Sequence, residues 1–296
     1  MILLLMPALQ MSGLLAVGQA TKPNPRDARI AAVVTVEGAP GGWVQTMDYY
    51  APAGEGPHPA VIIVHGGGFV GGTSRNGSEA YCADFLTPAG YAVFSTNYRL
   101  APAATLKDMV ADVQRAIGWV TAHAAQYNVD PKKIVLLGGS AGGYLSNMAG
   151  LKARHGELAA VVTLYGISDL AAMGKPEDME KHRLLGDAPV TPDSLLSASP
   201  ITYVGPGEPP FLLIHGDHDE SVPFQQSVNL RDALQVMGDK VELIRIPAGI
   251  HGTWTWHALP DVPDWEKEMV EWLNKTVGHE GPIGAGIETR TPRAAK

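Results

Sequence analysis

Apolar positions along the chain fall into two alternating rhythms. Short runs of β-branched and aromatic residues at Ile30–Val36, Trp43–Tyr50, Ala60–His65, Tyr91–Asn97, Ile134–Leu137, Ala160–Tyr165, Phe211–His215 and Val241–Ile246 predict eight strands. "AVIIVH" and "FLLIH" are apolar without alternation and so belong to strands covered on both faces. Helical spacing marks Ser78–Pro88, Thr105–Gln126, Ala141–Ala153, Phe224–Met237 and Asp264–Val277. Strands alternating with helices predict an α/β protein with a mostly parallel sheet and helices on both faces. The stretch from Gly166 to Pro209 carries neither rhythm and reads as irregular, with 168–199 as a short cap between strands. Residues 279–296 have no apolar period and read as a loose tail.

At 296 residues, 45% of them hydrophobic and 18% charged, the chain can bury one large core, so 21–278 is expected to form a single domain. A net charge of −8 with no basic cluster argues against nucleic-acid binding. The single cysteine, Cys82, rules out an intrachain disulfide framework and a cysteine-based zinc site, and it reads as a small core residue. Residues 1–20 are apolar and end in the small residues Gly18 and Ala20, the pattern of a secretory signal peptide, although no Lys or Arg precedes the run. A membrane anchor is the rival, but Pro7, Gln10 and Gln19 interrupt it. A secreted or periplasmic protein beginning near Thr21 is expected, membrane-bound only if the segment is retained.

The chemistry concentrates where strands end. "LLGGSAGG" places Ser140 among Gly138, Gly139, Gly142 and Gly143 at a strand-to-helix junction. A serine that merely capped a helix would account for part of this pattern. The glycines suit a sharper turn, one that projects the hydroxyl and aims the N–H groups of the new helix at developing negative charge. "VHGGGF", at the end of another buried strand, supplies a loop whose N–H groups can face a carbonyl oxygen; it lacks the Lys-Ser/Thr of a phosphate loop.

A nucleophilic serine needs a base and the base an orienting group. His251 follows the last strand in a glycine-containing loop and fits the order Ser, Asp, His; His257 is the rival. His65 is read as a prop of the glycine loop, and His215 and His218 as structural, because no ligand set joins them into a metal site. Asp217 and Asp219 both follow a buried strand, and spacing does not choose between them.

Together "HGGGF", "NYRLAP", "DVQRAIGWV", "NVDPKKIVLLGGSAGG", "YGISDL", "SPITYVGPGEPPFLLIHGDHDESVP" and "GIHG" resemble the α/β-hydrolases of the hormone-sensitive-lipase and feruloyl-esterase-like (BD-FAE) type, over about Trp43 to Val277. The resemblance implies an α/β-hydrolase fold with a short cap insertion. It implies Ser140 as nucleophile, His251 as base, Asp219 rather than Asp217 as triad acid, and an oxyanion hole from Gly67, Gly68 and Ala141. Tyr98 and Arg99 look like structural support beneath the site. The expected reaction is hydrolysis of short acyl or aromatic (acetyl- or feruloyl-like) esters, the substrate a small ester or an acylated plant saccharide, with no metal or organic cofactor. A prolyl-oligopeptidase-type peptidase and an arylformamidase-like amidase share the fold and remain alternatives. The family often has a glycine where Ile250 stands, and two tryptophans follow. Phe69, Met173, Trp254 and Trp256 are candidate pocket walls, each equally readable as core. The charged residues of the cap read as a solvated face.

Overall fold

Strand β3 (His58–Val64) shows how the chain builds its core. Ile62 and Val64 point into one apolar cluster while Val61 and Ile63 point into a second on the other side of the sheet, and all four are fully buried. Burying such a side chain contributes about 1.5–3 kcal/mol, so a strand apolar on both faces belongs at the centre of a sheet. The computed structural model describes residues 25–75, 77 and 79–284; the expected signal peptide, 1–20, and the end of the expected tail lie outside them.

The sheet has eight strands, as the sequence predicts: β1 (Ala32–Val36), β2 (Gln45–Tyr50), β3, β4 (Ala92–Thr96), β5 (Val129–Gly139), β6 (Ala160–Leu164), β7 (Phe211–Gly216) and β8 (Val241–Ile246). Their order is β1-β2-β4-β3-β5-β6-β7-β8. The β2 strand pairs antiparallel with both neighbours and the other pairings are parallel. This is the α/β-hydrolase architecture.

One face carries α2 (Leu106–Ala122), α3 (Ala141–Leu151) and α6 (Gln225–Val236); the other carries α1 (Ala83–Leu86) and α7 (Trp265–Val277). The α2 helix begins at a reciprocal Thr105–Asp108 capping box. The α7 helix starts from Asp264, whose carboxylate accepts the Lys267 N–H, and stops at Gly278 in the left-handed conformation.

Four departures from the sequence reading have local causes. The β5 strand starts five residues early, because Val129 pairs with His58 ahead of a register shift, a pairing that the polar "DPKK" hides. The helix expected over 78–88 shrinks to a 3₁₀ turn, Ala80–Cys82, followed by the four-residue α1. The segment read as irregular contains α4 (Pro176–Lys181) and α5 (Pro192–Ser197), both opening on proline and too short to show a period. The tail does not come loose at 279: the His279 ring bonds the Ala89 carbonyl at 2.9 Å, and Asn274 Nδ2–H donates to the Gly281 carbonyl.

Candidate active site

Strand β5 ends at Gly139 and α3 begins at Ala141, so a single residue makes the turn. That residue, Ser140, has φ 54° and ψ −121°, a conformation that costs a non-glycine residue about 1–3 kcal/mol unless its surroundings impose it. They do. The Ser140 N–H donates to the Leu164 carbonyl on β6, and its own carbonyl accepts from the Tyr144 N–H. The flanking glycines allow the close approach: a Cβ on Gly142 would lie 2.1 Å from the Val64 carbonyl oxygen, and one on Gly138 would lie 2.3 Å from that of Gly142.

The loop after β3 lies alongside. Gly67, at φ 120°, leaves no room for a side chain, since a Cβ would meet the Gly71 carbonyl oxygen at 2.2 Å. The loop is propped from below where Tyr98 meets His65. The Tyr98 hydroxyl donates to the His65 carbonyl and its ring stacks on His65, with centroids 4.2 Å apart. Burial pushes the His65 imidazole down to about 4, so it stays neutral. Arg99 donates to both carboxylate oxygens of the buried Asp112 on α2.

Three side chains from three strand ends then meet. His251 Nε2 lies 2.9 Å from Ser140 Oγ, and His251 Nδ1 lies 2.7 Å from Asp219 Oδ2. A carboxylate on the Nδ1 side holds the ring proton there and leaves Nε2 to accept from the serine. The other Asp219 oxygen accepts the N–H groups of Ser221 and Val222, both at 2.9 Å. Burial pushes this carboxyl up, but hydrogen bonds from His215, His251 and Val222 outweigh it and hold the group well below the usual carboxylate range.

The structure separates the residues that spacing could not. Asp217 turns outward to Arg245, His218 and the Ala248 N–H, at 2.6, 2.7 and 2.7 Å. His257 bonds the Tyr81 hydroxyl at 3.0 Å and Glu266 at 3.2 Å. His215 is buried against Ser227 and the Val222 carbonyl.

Ser140 and His251 open into a cleft of about 660 Å³ that Gly67, Gly68, Phe69, Met173 and Trp254 also line. Ala141, the first residue of α3, is buried directly behind the serine. Trp256 is not a wall of this cleft. It is fully buried, packed against Tyr165 and Trp265, and its Nε1–H donates to the Ile250 carbonyl. Trp254, two residues earlier, is 68% exposed at the cleft edge. On the cap, Lys175, Asp178 and His182 stand on the cleft wall, so part of the charged face adjoins the site. Glu79 and Tyr165 also line the cleft and had no role in the sequence reading. "YGISDL" places Tyr165 at a strand end, whereas no motif surrounds Glu79.

A family model, BD-FAE, matches residues 47–234, from within β2 to the last turn of α6, a span that includes the nucleophile turn and the Asp219 loop. The chain belongs to the BD-FAE family. Among relatives of this BD-FAE chain, the probable carboxylic ester hydrolase LipM of Mycobacterium tuberculosis is 33% identical over 214 residues, 66% of this chain and 49% of that protein. The chain spans about half the length of the curated relatives it matches. Among solved structures, the acetyl ester-xyloside bifunctional hydrolase of Caldicellulosiruptor lactoaceticus superposes with a TM-score of 0.73 at 26% identity, covering 83% of this chain and 96% of that one. Esterase Est2 of Thermogutta terrifontis, with propionate bound, superposes with a TM-score of 0.70 at 26% identity, covering 86% and 97%.

Proposed function

We propose that this protein is a serine carboxylesterase acting on esters of short acyl groups. The observation that carries the reading is the hydrogen-bonded series Asp219–His251–Ser140 on a serine held at φ 54° beside a glycine loop. Ser140 Oγ attacks the ester carbonyl as its proton passes to His251 Nε2. The electron pair displaced onto the carbonyl oxygen is held by backbone N–H groups of Gly67, Gly68 and Ala141. Collapse expels the alcohol, which takes its proton from His251 and leaves the acyl group on Ser140. Water then gives a proton to His251, attacks the acyl-enzyme, and Ser140 departs with the proton returned. Asp219, held ionised, faces the imidazolium that forms twice in each cycle.

Phe69 and Met173 are the apolar walls offered to the acyl group, and the cap between strands is short, which favours short acyl groups over long chains. The acetyl ester named for one structural neighbour and the propionate bound in the other agree with this. The exposed Trp254 face suits stacking on a sugar or an aromatic acid, so acylated plant saccharides, acetylated or feruloylated, are the proposed natural class.

Hydrolysis of 4-nitrophenyl esters from acetyl to dodecanoyl, with Ser140→Ala alongside, tests the reading. Activity concentrated on acetyl to butyryl and lost in the variant is expected. Activity that survives Ser140→Ala overturns it. Trp254→Ala is expected to lower turnover of feruloyl and saccharide esters more than of 4-nitrophenyl acetate; equal losses remove Trp254 from substrate recognition.

A further inference from the structure

Among the described residues lining the cleft, Glu79 alone combines a carboxylate with near-complete burial and lies outside the Asp219–His251–Ser140 series; it is 2% exposed. Burying a carboxylate is costly unless its oxygens are matched. Here Oε2 accepts the Gly66 N–H and Oε1 accepts the Tyr165 hydroxyl, both at 3.2 Å. Gly66 begins the glycine loop proposed to hold the oxyanion. Tyr165 lies against His251, ring centroids 4.7 Å apart, and sits at φ 41°, where a non-glycine residue must be held by its neighbours.

The position of the carboxylate is more telling than its partners. A Cβ on Gly139, the residue before the nucleophile, would lie 2.3 Å from Glu79 Oε1 and 2.9 Å from its Cγ. Glu79 therefore fills the space that a side chain at 139 would take, and Gly139 stays bare because an acid from another loop is already there. A Cβ on Gly66 would stand 3.1 Å from the Gly139 carbonyl oxygen, 3.3 Å from Glu79 Oε1 and 3.4 Å from Ser140 Cβ, so the start of the glycine loop lies between the carboxylate and the nucleophile turn with little room for a side chain.

We propose that Glu79 is a positioning residue for the hydrolysis, its buried carboxylate locking the glycine loop to the nucleophile turn and to the ring that backs His251. The proposal rests on the esterase reading. Glu79 acts through the Gly66 N–H and the Tyr165 hydroxyl, so its loss lowers turnover more than substrate binding. It also explains why residue 139 is a glycine: the facing loop already supplies the group that occupies that space.

The test measures kcat and KM for 4-nitrophenyl acetate, together with thermal unfolding, in wild type, Glu79→Gln, Glu79→Ala, Gly139→Asp and the double variant Glu79→Ala/Gly139→Asp. Glu79→Gln keeps the shape but has one acceptor for two donors, so either the Gly66 N–H faces an amide N–H or the Tyr165 hydroxyl must turn from donor to acceptor. Its kcat is expected to fall about tenfold, the worth of one misdirected hydrogen bond, with KM little changed. Glu79→Ala is expected to lose about 10²-fold, the cost of misplacing reacting groups by about 1 Å. Gly139→Asp alone crowds Glu79 and is expected to inactivate. In the double variant the clash is gone, and a carboxylate oxygen introduced at position 139, two bonds from its own Cβ, falls near the site vacated by Glu79 Oε1. That variant is expected to recover about tenfold over Glu79→Ala, which a merely structural loss would not permit.

Folded Glu79→Gln with wild-type kcat overturns the proposal, as does a folded double variant no more active than Glu79→Ala. If Glu79→Ala does not fold, Glu79→Gln decides. Fluorophosphonate labelling separates the two readings. Labelling that persists in Ser140→Ala sinks the esterase reading, whereas Ser140-dependent labelling with an unaffected Glu79→Gln sinks only the role given to Glu79.

Discussion

The cleft has two walls built on opposite principles. The wall at the strand ends is buried and over-determined: Ser140, Asp219 and His251 each follow a strand, and several backbones approach so closely that only glycine fits. The cap wall consists of short helices and turns: Lys175 and Asp178 are exposed on it, Lys175 Nζ reaching the Ser221 carbonyl at 3.4 Å, and Met173 packs half-buried at the edge of the core. Reaction geometry needs the first kind of wall, because misplacement by about 1 Å costs about 10²-fold in rate. Choice among substrates tolerates the second, since loops on a rigid scaffold can vary without disturbing the reacting groups.

The sharpest break of that contrast lies within the rigid wall, between two aspartates two residues apart. Asp219→Asn keeps the shape but lets the His251 ring proton sit on the wrong nitrogen, and is expected to lower kcat about 10⁴-fold. Asp217→Asn, on the outward side of the same loop, weakens the ion pairing to Arg245 and His218 but keeps an oxygen for the Ala248 N–H, and is expected to stay within about threefold of wild-type kcat. Steady-state kinetics on 4-nitrophenyl acetate decides, and comparable losses in both would mean that the loop acts as a unit.

Trp254 and Trp256 give the next contrast. Trp256→Ala leaves a cavity beneath the His251 loop and removes the donor to the Ile250 carbonyl, and is expected to cost about 3–5 kcal/mol in urea unfolding. Trp254→Ala is expected to change stability by less than about 0.5 kcal/mol, as for other exposed substitutions. A large loss for Trp254 would show that it packs rather than recognises.

How far these distinctions can be read from sequence varies with their physical cause. Glycines crowding a serine at a strand end are legible because few other turns need them, and the central strands are legible because burial on both faces leaves unbroken apolar runs, while β1 and β8, half-exposed at the sheet edges, show only short mixed runs. Choosing between Asp217 and Asp219 took the family resemblance, since both follow the same strand. Trp254 and Trp256 could not be separated: they lie in a six-residue 3₁₀ turn, Thr253–Ala258, where three residues make a turn and positions two apart face different ways. Glu79 left no trace at its own position. Its only signal was the bare Gly139, which becomes meaningful once two distant loops are seen to meet.

A smaller, pH-dependent effect belongs to the support of the same wall. Burial pushes the Glu266 carboxyl up to about 8. A carboxyl raised in the folded state stabilises it fully below the ordinary carboxylate range, and that contribution drains away as pH rises through about 8. Burial lowers the neighbouring His257 instead, so its contribution is present above the ordinary imidazole range and is lost as pH falls. Glu266→Gln is therefore expected to remove the alkaline decline while leaving the acid limb that His257 governs. Urea midpoints at pH 5, 7 and 9 test this; a variant that still declines between 7 and 9 would show that another group titrates there.

The smallest effect is expected on the cap, where it probes whether the two walls are independent. Thr191 caps α5 reciprocally with Ser194, and α5 ends beside Ala198, whose carbonyl accepts the Tyr144 hydroxyl of α3 at 2.7 Å. Thr191→Ala removes one orphan N–H partner and is expected to cost about 1 kcal/mol. In a domain of this size that lowers Tm by about 2–4 °C. The cap reaches the first turn of the nucleophile helix through that hydroxyl, whereas the Ser140 turn is held by backbone groups, the Leu164 carbonyl and the Tyr144 N–H, and by the close-packed glycines. Turnover of 4-nitrophenyl acetate is thus expected to stay unchanged while the ratio of butyryl to acetyl turnover shifts, because Met173 and its neighbours on the cap wall gain freedom. A fall in acetyl turnover instead would mean that Tyr144 carries cap motion into α3, and that the rigid wall borrows part of its rigidity from the loose one.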